Sequence, residues 1–105
     1  MRAISEYILV TVYGTSDCID TDASRHQLAQ LEVAYQFGNL EISSAREELN
    51  EILGNGDHPK PTIIFTQQLS GHESQIVGVL KEPDWDELAE TLEATGLIPP
   101  IEKSA

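Results

Sequence analysis

The residue best suited to chemistry is a cysteine that stands alone. Cys18 lies in Gly14-Thr15-Ser16-Asp17-Cys18-Ile19-Asp20-Thr21, between an apolar run and a stretch rich in helix-capping residue types. A single cysteine cannot form an intrachain disulfide, and one thiol is too few for a zinc finger. The chemistry left to it is thiol–disulfide exchange with another molecule, in which the thiolate is the nucleophile. His26, His58 and His72 are too scattered for paired ligation, so no metal site is expected. No glycine-rich phosphate loop occurs, and nucleotide binding has no support.

The elements that must position Cys18 follow from residue patterning. Tyr7 to Tyr13 is a β-branched and aromatic run with few polar interruptions, the pattern of a strand covered on both faces, and it stops at Gly14. Ala23, Gln27, Leu28 and Leu31 then fit a helical stripe, which places Cys18 at a strand-to-helix junction. Val33 to Phe37 reads as a second strand closed by Gly38-Asn39. Ser44 and Glu47 form a capping-box pair before Ala45, Leu49, Ile52 and Leu53, with Gly54 as the stop. A third strand runs from Thr62 to Phe65, a fourth from Gln75 to Leu80, and Thr66 to Ser74 connects them. The last helix starts at Asp84, which can cap while Glu87 reaches back, and its stripe of Trp85, Leu88, Ala89 and Leu92 predicts burial of all four. The order β-α-β-α-β-β-α predicts an α/β domain: parallel crossovers, then a hairpin, in a four-stranded mixed sheet with helices on both faces.

A length of 105 residues suits one domain over 1–105, with the tail from 99 to 105 expected to fray. Eighteen acidic side chains against 6 Lys plus Arg give a formal charge of -12, a field that repels phosphate backbones and anionic headgroups. No nucleic acid and no membrane partner are expected. The opening Met1–Tyr7 carries no secretory h-region, and a cytoplasmic location is the expectation.

Val12-Tyr13-Gly14-Thr15-Ser16-Asp17-Cys18 resembles the strand-into-active-site stretch of the glutaredoxin branch of the thioredoxin fold, and Pro61-Thr62-Ile63-Ile64-Phe65 resembles its proline-led third strand. The resemblance spans most of the chain. It implies that Cys18 is the nucleophile and that Pro61 follows a cis bond and faces the thiol, with Pro61 and Thr62 lining the substrate groove; Lys60, where the family usually has a small apolar residue, is the nearby cation expected to contact an anionic substrate. Thr21 stands where dithiol members carry the resolving cysteine, and the glycine that follows the cysteine in iron–sulfur-carrying monothiol members is here Ile19. The implied activity is monothiol exchange with glutathione or a protein thiol. No cofactor is implied, glutathione being a co-substrate. The rival reading is a redox-inactive binding module whose groove or acidic helix face serves a protein partner.

The reactivity of Cys18 turns on its pKa. A helix N-terminus favours a nearby anion by ~0.3–1 kcal/mol. A carboxylate ~7 Å away at an effective dielectric of ~40 opposes it by about 1 kcal/mol. With Asp17, Asp20 and Asp22 all close in sequence, the expectation is a thiol near or above its ordinary pKa unless Asp20 and Asp22 point outward to cap the helix or Lys60 lies across from the sulfur. Thr21 is either a first-turn residue or a hydroxyl donor to that sulfur.

Overall fold

The computed structural model describes residues 7–68 and 74–99. Its elements are β1 (Tyr7–Gly14), α1 (Ile19–Gln30), β2 (Gln36–Asn39), α2 (Ser43–Leu53), β3 (Thr62–Gln68), β4 (Gln75–Lys81) and α3 (Trp85–Ala94). The strands form one sheet in the order β2-β1-β3-β4. This is the α/β arrangement expected, a four-stranded mixed sheet with helices on both faces.

Alternation along β1 explains the layering. Val10 and Val12 face one way and join Ile63 and Phe65 of β3, Leu28 of α1, and Leu88 and Leu92 of α3 in one buried cluster. Tyr13 faces the other way, beside Ile64, against Leu49 of α2. The register carries this pattern across the sheet, pairing Val12 with Ile63 and Val10 with Phe65. Full burial of such a side chain is worth about 1.5–3 kcal/mol, so truncating Leu28 or Leu88 would cost more than any surface change.

The structure corrects several expectations. Only the first crossover is parallel: β1 and β2 run together, whereas β3 is antiparallel to β1 and β4 antiparallel to β3. The second strand is Gln36–Asn39 rather than Val33–Phe37, because Val33 N–H is taken by Leu28 O (2.9 Å) to close the end of α1. No capping box forms at α2. Its N-cap is Ile42, whose carbonyl accepts the Ala45 and Arg46 amides at 3.1 and 3.2 Å, and Ser44 falls inside the helix. Gly54 does end α2, with a φ of 97° that a side chain would resist.

At α3 the Asp84 side chain caps as expected, accepting from Glu87 N–H at 2.8 Å. Leu88, Ala89 and Leu92 are buried, but Trp85 is 51% exposed. A helical side chain leans towards the N-terminus of its own helix, and from the first position of α3 that direction leads off the core and over the preceding turn. The tail beyond Pro99, and most of the connection around Gly71 and His72, lie outside the described residues.

Candidate active site

β1 delivers the chain to Gly14, and a tight turn follows in which Cys18 N–H donates to Thr15 O at 3.2 Å. Cys18 is the N-cap of α1. Its backbone is extended (φ -92°, ψ 124°), and its carbonyl accepts the Asp22 amide at 3.0 Å as the first rung of the helix. No side chain caps this terminus. Across from it, Sγ lies 3.9 Å from Lys60 O, the carbonyl of the peptide bond to Pro61. That bond is cis, as the resemblance implies. Pro61 O in turn accepts the Glu82 amide at 2.8 Å, which ties the end of β4 to the same corner.

The charges around the sulfur do not act as expected. Asp17, Asp20 and Asp22 are all exposed, where water screens them. The Cys18 thiol is held below its ordinary value, chiefly by the Thr21 side-chain hydroxyl, then by the Thr21 and Asp20 backbone amides, and burial and the Asp20 carboxylate oppose this only in part. The expectation of a near-normal or raised thiol is therefore overturned. Lys60 is not among the causes; its carbonyl, not its ammonium, is what meets the sulfur.

Thr21 is fully buried, and its Oγ1 has no hydrogen-bond partner. Leaving a buried hydroxyl unsatisfied costs about 1–3 kcal/mol. A Cys18 thiolate is the nearby anion this hydroxyl favours, which is the direction in which the thiol is shifted. Gly14 makes room for the hydroxyl: a Cβ there would fall 2.3 Å from Thr21 Oγ1. Sequence reading took Gly14 only as a strand stop; the signal available was a glycine at the end of an otherwise β-branched strand, seven positions before a small polar residue on the next helix.

Two clefts are lined by neighbours of Cys18, one by Thr15 and Lys60 and the other by Asp20. On the α2 side, a cleft of about 410 Å³ takes in Thr15, Glu41, Arg46, Asp57, His58 and Lys60. His58 Nε2 lies 3.0 Å from both Asn50 Oδ1 and Gly54 O. Both partners are oxygens, so Nε2 is placed to donate to them. On the other side, between α1 and the start of α3, a cleft of about 440 Å³ is lined by Asp20, Gln27, Glu82, Pro83, Asp84 and Trp85 among others. Thr62, by contrast, is fully buried, with its hydroxyl committed to Pro59 O at 2.7 Å and strands on both sides. Pro61 is buried and Lys60 exposed, so of these three residues Lys60 alone is open to solvent. Among the described residues no group of three or more His, Cys, Asp or Glu side chains could hold a metal ion, and no helix is long and apolar enough to cross a membrane.

No protein-family model matches this chain, and no curated protein matches it. Among solved structures it is similar to a thioredoxin from Plasmodium falciparum, with a TM-score of 0.63 at 16% identity over 84% of this chain and 70% of that one. The fold is that of thioredoxin. Within the thioredoxin fold the structure brings Cys18, Thr21, Lys60 and Pro61 to one corner, where the first helix opens against the cis bond. Arg46, His58, Glu82 and Trp85, which sequence reading did not assign to the site, border that corner through the two clefts.

Proposed function

We propose that this chain performs monothiol thiol–disulfide exchange of the glutaredoxin type through Cys18. The observation that carries the reading is the sulfur at an uncapped helix N-terminus, its pKa lowered by Thr21, 3.9 Å from the carbonyl of the cis Lys60–Pro61 bond. The Cys18 thiolate attacks one sulfur of a disulfide, forms a mixed disulfide, and releases the other sulfur as a thiolate that takes up a proton from water. With Thr21 in place of a resolving thiol, the mixed disulfide persists until an external thiol such as glutathione attacks it. That second step returns the Cys18 thiolate and leaves the glutathionyl group joined to the substrate sulfur. Each step breaks one S–S bond and forms one, and Cys18 ends as it began.

Within this reading Thr21 donates its hydroxyl to the thiolate, Pro61 shapes the wall facing it, and Lys60 offers its carbonyl and a solvent-exposed ammonium beside the groove. The test is reduction of a glutathionylated model disulfide by glutathione with the native chain and with Cys18→Ser. Turnover by the native chain alone supports the proposal. No turnover by either chain leaves a redox-inactive binding module as the better account, a reading favoured by the exposed Trp85 beside the groove.

A further inference from the structure

We infer that the cleft under Trp85 is a docking site for a partner protein segment that carries a basic side chain next to an apolar one, beside the sulfur that Cys18 attacks. The inference rests on the exchange reading for its chemistry but on separate observations for its geometry. Large apolar side chains are exposed at five places among the described residues; one of these, Trp85 (51%), lines this cleft, and another, Ile19 (84%), stands at the start of α1. Ile19 follows Cys18 directly and stands one helical turn before Ala23, which lines the cleft. Trp85 is exposed without being loose, because the buried Gln27 donates from Nε2 to its carbonyl at 2.8 Å and pins the start of α3 to α1.

The charge of the cleft selects its guest. Asp20, Glu82 and Asp84 line it and no basic residue does, whereas Arg46 and Lys60 line the α2-side cleft. Glu82 sits at φ 48°, where glycine would be cheaper, so a side chain is kept at this corner against a backbone preference. An indole beside three carboxylates suits a guanidinium or ammonium, and Ala23 and Pro83 offer apolar contact to its neighbour. A polyanionic partner or a negatively charged small thiol is repelled here.

The test uses the full chain carrying Cys18→Ser, so that binding is read without reaction, by calorimetry and by emission of the sole tryptophan. Three probes are titrated: a short peptide with an Arg-Leu pair beside a serine, its Glu-Leu counterpart, and agmatine. Expected is binding of the Arg-Leu peptide at least about tenfold tighter than the Glu-Leu peptide, with a change in Trp85 emission. Affinity should fall at least about fivefold between roughly 50 and 500 mM NaCl, and severalfold in a Glu82→Gln background. Equal binding of the two peptides, no response to salt, or agmatine binding as tightly as the Arg-Leu peptide would each overturn the proposal. A parallel arm measures exchange of the native chain with the cysteine forms of both peptides as activated disulfides. Equal exchange rates with both peptides would overturn docking and leave monothiol exchange standing. Preferential binding of the Arg-Leu peptide with no exchange would support docking and remove the exchange reading.

Discussion

Helices α1 and α3 begin alike and are finished differently. Both carry two acids in the first turn, Asp20 and Asp22 in α1, Asp86 and Glu87 in α3, so both macrodipoles are answered in the same way. At α3 the Asp84 carboxylate closes the terminus. At α1 the cap position holds a thiol, and no side-chain cap hydrogen bond closes the terminus. A side-chain cap is worth about 0.5–2 kcal/mol, and α1 forgoes it. The first-turn amides of Asp20 and Thr21 help to lower the Cys18 thiol. One terminus is built for stability and the other for an anion that comes and goes. An uncapped end alone is not enough for this: α2 also lacks a side-chain cap, but its cap residue is Ile42, which has nothing to ionise.

Substitutions at these termini sharpen or break the contrast. The largest effect is expected from Cys18→Ser, which should abolish exchange in the glutathione assay while raising stability in urea unfolding by about 1 kcal/mol, since serine is a preferred cap. Opposite signs in the two assays are the signature; a loss in both would break the comparison. The stability gain should shrink at high pH. A depressed pKa in the folded state means that the native thiol contributes stability above its unfolded value of ~8.5 and loses that contribution as pH falls through the folded value.

Next in size is Gly14→Ala. The added methyl meets the buried Thr21 side chain, and overpacking of this kind costs about 1–3 kcal/mol. Thermal unfolding should show the loss, and Thr21→Ala in the same chain should recover part of it. Asp84→Ala removes the closed cap of α3 and should cost about 1 kcal/mol in urea unfolding. Thr21→Val should have the subtlest effect: the midpoint of the iodoacetamide rate-versus-pH profile moves up towards that of a free thiol, because the hydroxyl that favours the thiolate is gone. An unmoved midpoint would assign the lowering to the backbone amides alone.

Much of this fold is legible in the residues, and the site is legible in part. The nearly uninterrupted apolar run of β1, the Asp84 cap and the Gly54 stop are local signals, each contained within one element, and the structure agrees with them. The Ser44–Glu47 capping box and the burial of Trp85 were equally local patterns, and both yielded to their surroundings: Ile42 takes the cap position, and Trp85 leans past the edge of the core. At the site, Cys18 could be placed at a helix mouth, yet its pKa was expected to follow the neighbouring aspartates. Sequence proximity counts charges but not their exposure, and the three carboxylates stand in water while the Thr21 hydroxyl beside the half-buried thiol is fully buried.

By itself, then, the sequence determined the order of elements, the doubly covered first strand and a lone thiol where a strand turns into a helix, because periodicity and end signals act over a few residues. Only the tertiary structure decided that β3 runs against β1, that Lys60 O meets a sulfur 42 residues away, and that Thr21 packs over Gly14 with its hydroxyl unanswered. Those features depend on which distant groups share a dry corner, and free energies of burial and hydrogen bonding belong to that neighbourhood rather than to any stretch of chain.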